Sequence, residues 1–444
     1  MHASGNVQHF DPGKLRRFVS AAVAGLMLLV GASCGSSTVR DDTATTMSGE
    51  RAYGAALRTE IERVMKANMI PGAIVLIKSR DKGNWQATLG TGEIGKFVPL
   101  SMADSVRIGS NTKTMTSTVI MQLVQEGKLK LDDPISKFRS DVPNGQNITI
   151  EHLATMRSGL YSYTFDLGFN ETLDKDPKKA WTPDELLKIA FSHPSSGPPG
   201  TKFDYCNTNI VLLGLVIERL TGMSAREAFQ KRIFEPLGLM HTQLPLANDW
   251  SIPGPHPQGY QFLTNVETID SYAVPPAQLP AALNGTLRPL NETNANPSWA
   301  WTAGGGISTA DDLAVYVKAL VSGGLLNPAM QKIRLDSIVP TNPDNPNAAG
   351  YGIGIARFGP WLIGHDGQIP GYSTVMVYDP MADNTVIILT NLAAVPATGE
   401  GSALQILKAV IPALYGSSAG VPGGDPAAVP GATPRSDSGT TKAK

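Results

Sequence analysis

The stretch Arg107-Ile108-Gly109-Ser110-Asn111-Thr112-Lys113, running on from Thr114 to Gly127, constrains this chain more than any other. Apolar Met115, Val119, Ile120, Leu123 and Val124 recur at the three- and four-residue spacing of one helical face, and Gly127 is a natural stop. Ser110 and Lys113 then lie one turn apart at the helix start. An ammonium there reaches the hydroxyl, and the helix end adds partial positive charge where an attacking oxygen turns negative. That is the arrangement of an activated nucleophile. As a four-residue string it is more often a helix N-cap. Ser79-Arg80-Asp81-Lys82 repeats the string in a polar turn after the strand-like 73–77, so context has to choose.

The surrounding pattern is mixed. An apolar stripe of Leu57, Ile61, Val64 and Met65 predicts a helix over about 51–68, and strands follow near 73–78 and 85–90. A helical region is expected to run to about Arg157, then a long aromatic and polar loop over 161–181 near a site. Helices are expected at 183–192, 208–222 and 224–234, and irregular Pro-, Asn- and Gln-rich loops over 241–300. Gly304-Gly305-Gly306 reads as close backbone packing before a helix, capped by Ser308 or Thr309, that ends near Ser322. Alternation then predicts strands at 351–357, 361–364, 372–378 and 384–391, and a last helix near 402–415.

The ends read differently. Lys14, Arg16 and Arg17 precede an apolar run from Phe18 to Ser33, shorter than the ~20 residues of a membrane span, so residues 1–34 read as a signal peptide. Gly31-Ala32-Ser33-Cys34 resembles a bacterial lipobox with Gly31 where Leu is usual, which implies an exported protein held to the membrane by a lipid on Cys34; the alternative is ordinary signal cleavage and a secreted protein. Residues 35–48 read as a linker, and 416–444 as a disordered Gly/Pro/Ala-rich tail. The formal net charge is -1 with no long Lys/Arg block, which gives no reason to expect nucleic acid. Two cysteines, Cys34 and Cys206, make no disulfide framework.

Two further segments carry chemistry. In Tyr205-Cys206-Asn207 a phenol can act as a base if a neighbouring ammonium favours its anion, and Lys113 is the candidate neighbour. Asn207 can hold a substrate amide. A buried tyrosine and a turn asparagine explain the same residues. In His365-Asp366-Gly367-Gln368 a glycine lets strand N–H groups approach a ligand, as an oxyanion site requires, although a lone strand histidine is often structural.

Together Ser-Asn-Thr-Lys at 110–113, Tyr-Cys-Asn at 205–207 and His-Asp-Gly at 365–367 resemble the serine β-lactamase and penicillin-binding-protein-like superfamily. Its form is S-x-x-K, then S-D-N or Y-x-N, then K-T-G or H-x-G. The branch resembled holds class C β-lactamases, DD-carboxypeptidases, D-amino-acid peptidases and related esterases. The resemblance implies an α/β (α+β) fold, an antiparallel sheet flanked by helices plus a mostly helical lobe. It places the sheet lobe at about 49–109 and 301–415, the helical lobe at about 110–300 and the site in the cleft between.

It implies roles as well. Ser110 attacks a carbonyl, Lys113 takes or relays its proton, and Tyr205 serves as base and then acid. Asn207 orients substrate, His365 replaces the third-motif lysine, and the Ser110 and Gln368 N–H groups form the oxyanion hole. No metal or organic cofactor is implied, and the partner is a small-molecule or peptide substrate. The implied activity is that of a D-alanyl-D-alanine carboxypeptidase or β-lactamase on cell-wall peptide or a related amide. The alternatives are an esterase or amidase on a neutral substrate, or a silent binding module.

Asp366 departs from the family pattern. Thr or Ser there contacts a substrate carboxylate, which a second carboxylate repels. Rival readings fail on sequence. The two G-x-S-x-G strings fall in 31–35 and 416–420, outside any hydrolase elbow, and the histidines show no zinc spacing. A thiol nucleophile at Cys206 is disfavoured against a small residue facing away from the cleft.

Overall fold

The computed structural model describes residues 52–416. The signal-like segment, Cys34, the linker and, apart from Gly416, the tail expected from the sequence lie outside the described residues.

Eight strands form one sheet: β1 (Gly72–Ser79), β2 (Trp85–Gly90), β3 (Val339–Pro340), β4 (Ala349–Tyr351), β5 (Ala356–Phe358), β6 (Leu362–Ile369), β7 (Tyr372–Asp379) and β8 (Asn384–Thr390). The order is β2-β1-β8-β7-β6-β5-β4-β3, and neighbours pair antiparallel. The two ends of the chain meet where β1 lies against β8, from Ala73 opposite Thr390 to Ser79 opposite Asn384. Every residue of β7 and β8 is buried, so both faces of the sheet centre are covered. Near-continuous apolar runs such as Ile74–Ile77 and Val386–Leu389 suit a strand in that position.

The principal helices are α1 (Ala52–Ala67), α2 (Thr112–Gln125), α3 (Asn207–Thr221), α4 (Ala310–Ser322) and α5 (Ser402–Tyr415). α1 packs on α5, and α4 and α5 pack on the sheet. The predicted stripe of Leu57, Ile61, Val64 and Met65 is buried. α2 and α3 pack on each other and on the short helix Trp301–Gly304.

α2 differs from its expected one-sided pattern, because Thr112 to Met121 are all buried. Its threonine hydroxyls are satisfied internally: Thr116 donates to Thr302 O at 2.7 Å, Thr118 donates to Thr114 O at 2.7 Å, and Thr114 bonds the Tyr316 hydroxyl at 2.9 Å. Polar groups that find partners can be buried, so the helix needs no wet face.

Other expectations need correcting. The helical region expected up to Arg157 is mostly turns, with helix only at Ile135–Lys137 and Ile150–Ala154. The loop expected over 161–181 contains a helix, Leu167–Lys175, whose N-cap Asp166 accepts from Phe169 N at 2.7 Å. A helix at Pro328–Asp336, capped by Asn327, was not anticipated. The strand expected at 351–357 is broken between β4 and β5, where Gly352 N bonds Ile355 O at 2.8 Å. The strand expected at 361–364 runs on to Ile369, because His365 to Ile369 pair with β7 although Asp366 and Gly367 are poor strand formers.

Candidate active site

Ser110 sits in a single 3-10 turn, Gly109–Asn111, that leads directly into α2. The turn is pressed against β6. Gly109 has φ +52°, and a Cβ there would lie 2.8 Å from Gln368 N. A Cβ on Gly367 would lie 2.0 Å from Ile108 O. Only glycine fits either place, and the glycine of the third motif is thereby explained as close packing. Asn111 Nδ2 and the Thr374 hydroxyl both donate to Ile108 O, at 3.0 and 2.9 Å, and tie the turn to β7. β6 pairs with β5 only through Leu362, Ile363 and Gly364, so its later residues turn an edge toward the Ser110 turn.

Lys113 Nζ lies 2.8 Å from Ser110 Oγ and donates to Ala303 O at 2.7 Å. It also sits 4.8 Å from the centroid of the Tyr205 ring. The side chain is wholly buried, and that desolvation pushes its pKa down to about 7, against the smaller opposing pull of Asp366. At neutral pH a large fraction of Lys113 is therefore an uncharged amine. The second S-x-x-K string lies in a turn at the end of β1, where Ser79 Oγ accepts from Lys82 N at 3.1 Å, and not at the head of a buried helix.

Asn207 opens α3, with its N–H donating to Ser162 Oγ at 3.2 Å and its Nδ2 to Thr164 Oγ1 at 3.3 Å. Cys206 between the two motif residues is buried, its thiol donating to Leu160 O at 3.4 Å. Burial pushes that thiol up to about 11, so it is no nucleophile.

A cavity of about 350 Å³ has Ser110, Tyr205, Asn207, Asp366 and Gln368 in its wall. Its other lining includes Phe165, Phe169, Leu173, Tyr272 and Trp299, which supply apolar surface among polar residues such as Thr164, Asn170 and Thr268. Helix 167–175 and loop 264–272 form much of this outer wall. Asp174 links the two by accepting from Asn265 N, Asn265 Nδ2 and Val266 N at 2.7, 2.8 and 3.0 Å.

His365 and Gly367 are not in that wall, which corrects their expected place facing substrate. The His365 ring is fully buried, with Nδ1 bonded to Asp366 O at 2.6 Å and Nε2 to the Tyr351 hydroxyl at 3.2 Å. Burial and then the charge of Lys113 push it down to about 3. The 3.6 Å approach of Nδ1 to Asp366 Oδ1 is therefore no ion pair at neutral pH, and His365 does not supply the cation a lysine would. Its tautomer follows: Nδ1–H donates to the backbone, and Tyr351 donates to Nε2.

Tyr351 is the residue the sequence reading missed. It braces two others, edge-on to Tyr205 at 6.0 Å between centroids and to His365 at 5.6 Å. Its only signal was a tyrosine at the head of a predicted strand. Among the described residues no three His, Cys, Asp or Glu side chains converge as metal ligands.

The profile of the Beta-lactamase family matches residues 57–410. Protein flp of Staphylococcus aureus (strain MRSA252) is 26% identical over 349 residues, covering 75% of this chain and 62% of flp. A putative penicillin-binding protein, PbpX of Bacillus subtilis (strain 168), is 25% identical over 288 residues, covering 65% of this chain and 62% of PbpX. The chain thus spans 62% of the length of these curated relatives. Among solved structures, a D-stereospecific amidohydrolase from Streptomyces sp. superposes with a TM-score of 0.66 at 28% identity, covering 80% of this chain and 98% of that one. A D-amino acid amidase from Ochrobactrum anthropi SV3 superposes with a TM-score of 0.67 at 24% identity, covering 81% and 99%, and shows the shared fold.

Proposed function

Because the chain belongs to the β-lactamase family, a family of serine hydrolases, we propose that it cleaves a small amide or ester through an acyl-enzyme on Ser110. The observation that carries this reading is the 2.8 Å approach of a fully buried Lys113 Nζ to Ser110 Oγ. The uncharged amine takes the Ser110 proton as Oγ attacks the carbonyl carbon. The oxyanion that forms is held by the N–H groups of Ser110 and Gln368, whose backbones meet across Gly109. Tyr205, beside Lys113, gives its proton to the leaving group and takes back the one Lys113 accepted from Ser110, and Asn207, in the same lining, holds the substrate. Water then releases the acyl group.

The resemblance to an amidohydrolase at 28% identity supports an amide, and the apolar lining supports a small substrate with an apolar group. A cell-wall peptide ending in a carboxylate, or a β-lactam, is the second reading. It draws on the similarity to a putative penicillin-binding protein and is weighed down by Asp366 in the wall. The signal-like 1–34 segment, with Cys34, supports a site of action outside the cytoplasm.

The test is intact-mass analysis of the purified protein after exposure, in separate tubes, to a penicillin and to an activated short-chain ester. Adduct or turnover with the ester alone, lost in Ser110→Ala, is the expected result. A stable penicillin adduct on the Ser110 peptide favours the second reading. No adduct and no turnover with either reagent refutes both and leaves a binding module.

A further inference from the structure

Resting on the acyl-enzyme reading above, we infer that Thr112 is a positioning residue for that reaction, its hydroxyl aiming the Ser110 N–H at the oxyanion. A trans peptide is planar, so the carbonyl of Gly109 and the N–H of Ser110 point in opposite directions and turn together. Gly109, at φ +52°, is the residue least able to hold that plane by itself. The plane is held from outside. Thr112 Oγ1 donates to Gly109 O at 2.8 Å and accepts from Gly306 N at 3.0 Å, so its one proton is committed to the carbonyl. The Thr112 N–H also reaches Gly109 O, but it is shared with Ser110 O.

The anchor of this clamp comes from 194 residues away in sequence. Ile108 N returns a bond to Gly306 O at 2.9 Å, so the Gly306 residue grips the serine turn with both of its backbone polar groups. A Cβ on Gly306 would lie 2.8 Å from Thr112 Oγ1, and the last glycine of 304–306 therefore leaves room for the hydroxyl. Thr112 is fully buried, so no water competes for Gly109 O through it. Asn111 Nδ2 and the Thr374 hydroxyl fix the other edge of the turn through Ile108 O. An oxyanion needs both of its donors within about 2.7–3.1 Å, and a peptide plane free to rotate at Gly109 would miss that point.

Thr112→Val removes the hydroxyl at nearly constant shape, and Thr112→Ser keeps it. The full-length protein is assayed with an activated short-chain ester and with its thionoester, whose sulfur stands in place of the carbonyl oxygen and accepts hydrogen bonds poorly. Thr112→Val should lower kcat on the ester by about 10- to 100-fold, less than the loss of an oxyanion donor outright, with KM held within about threefold. The ratio of ester to thionoester kcat/KM should shrink by about 10-fold, because a misaimed donor no longer favours oxygen. Thr112→Ser should restore both. If the valine variant does not fold, Thr112→Ala, which adds no atom, is read the same way. If penicillin alone labels Ser110, loss and rescue of its acylation rate across these variants is the comparison.

A wild-type rate in Thr112→Val, or a slowed variant with an unchanged ratio, overturns the inference while leaving the acyl-enzyme intact. Loss that serine does not restore also overturns it, since the methyl and not the hydroxyl is then what matters. Turnover of neither ester, with Ser110 unlabelled by any reagent, overturns both readings.

Discussion

Replacing Lys113 with methionine should make the protein more stable and catalytically dead, and the gain should change sign with pH. Burial holds the Lys113 ammonium near a pKa of about 7 instead of 10.5, a displacement worth about 5 kcal/mol at ~1.4 kcal/mol per unit. The folded state gives up its proton near 7 and the unfolded state near 10.5. Between those values the unfolded chain binds more protons, so wild-type stability rises with pH there. The penalty is whole below pH 7 and nearly gone at pH 10.5.

Lys113→Met removes that penalty but strands the carbonyl of Ala303, which now accepts at 2.7 Å, and a buried orphan costs about 1–3 kcal/mol. The variant should therefore exceed wild type by roughly 2–4 kcal/mol at pH 6 and fall below it by roughly 1–3 kcal/mol near pH 10.5. Urea unfolding followed by tryptophan fluorescence at the two pH values measures the difference. A gap of the same sign and size at both would refute the desolvated ammonium and, with it, the argument that Lys113 is the base. In wild type the same pKa predicts a kcat/KM that climbs with pH through about 7.

Tyr205→Phe should slow acylation by about 10²–10⁴ if Tyr205 moves a proton, and burst kinetics with an activated ester reads it. Gly367→Ala drives a Cβ to 2.0 Å from Ile108 O, so it should cost more than about 2 kcal/mol in urea unfolding and abolish acylation together. Tyr351→Phe keeps the ring beside Tyr205 but removes the donor 3.2 Å from His365 Nε2; kcat should fall while KM holds, and an unchanged kcat would confine Tyr351 to packing. Asp174→Ala removes three hydrogen bonds to Asn265 and Val266 and should raise KM with faster amide exchange over 264–272, detectable by mass spectrometry.

Much of this molecule could be read from local pattern because local pattern decides it. The apolar runs at Ile74–Ile77 and Val386–Leu389, and the periodic faces of α1 and α5, bury what their sequences demand. Ser110, Lys113, Tyr205 and Asn207 were singled out by residue type and spacing, and the fold gathers them around one cavity and its floor. What escaped depends on tertiary partners. Helix 167–175 starts at an aspartate cap and buries Phe169 and Leu173 on few apolar residues, a signal too short to register as periodic. The strand through Gly364, His365, Asp366 and Gly367 is strand because β7 and the Ser110 turn lie against it. The role of Tyr351 depends on a histidine two strands away in the sheet, a partnership set by strand pairing that no helical or strand periodicity signals.

The sheet that joins the two ends of the chain also sets a clock. Asp366 follows Ser110 by 256 residues, and β8, which β1 needs as its neighbour, comes later still. Contacts so distant in sequence form slowly, after most of the chain is available to close the loop. Until residues 362–390 have emerged, the serine turn has no β6 to rest on and no Gln368 N–H beside it. On the proposed mechanism, a chain still being made or cut short upstream of β6 has Ser110 and Lys113 but not the Gln368 N–H of the oxyanion site, so its chemistry waits on the last third of the fold.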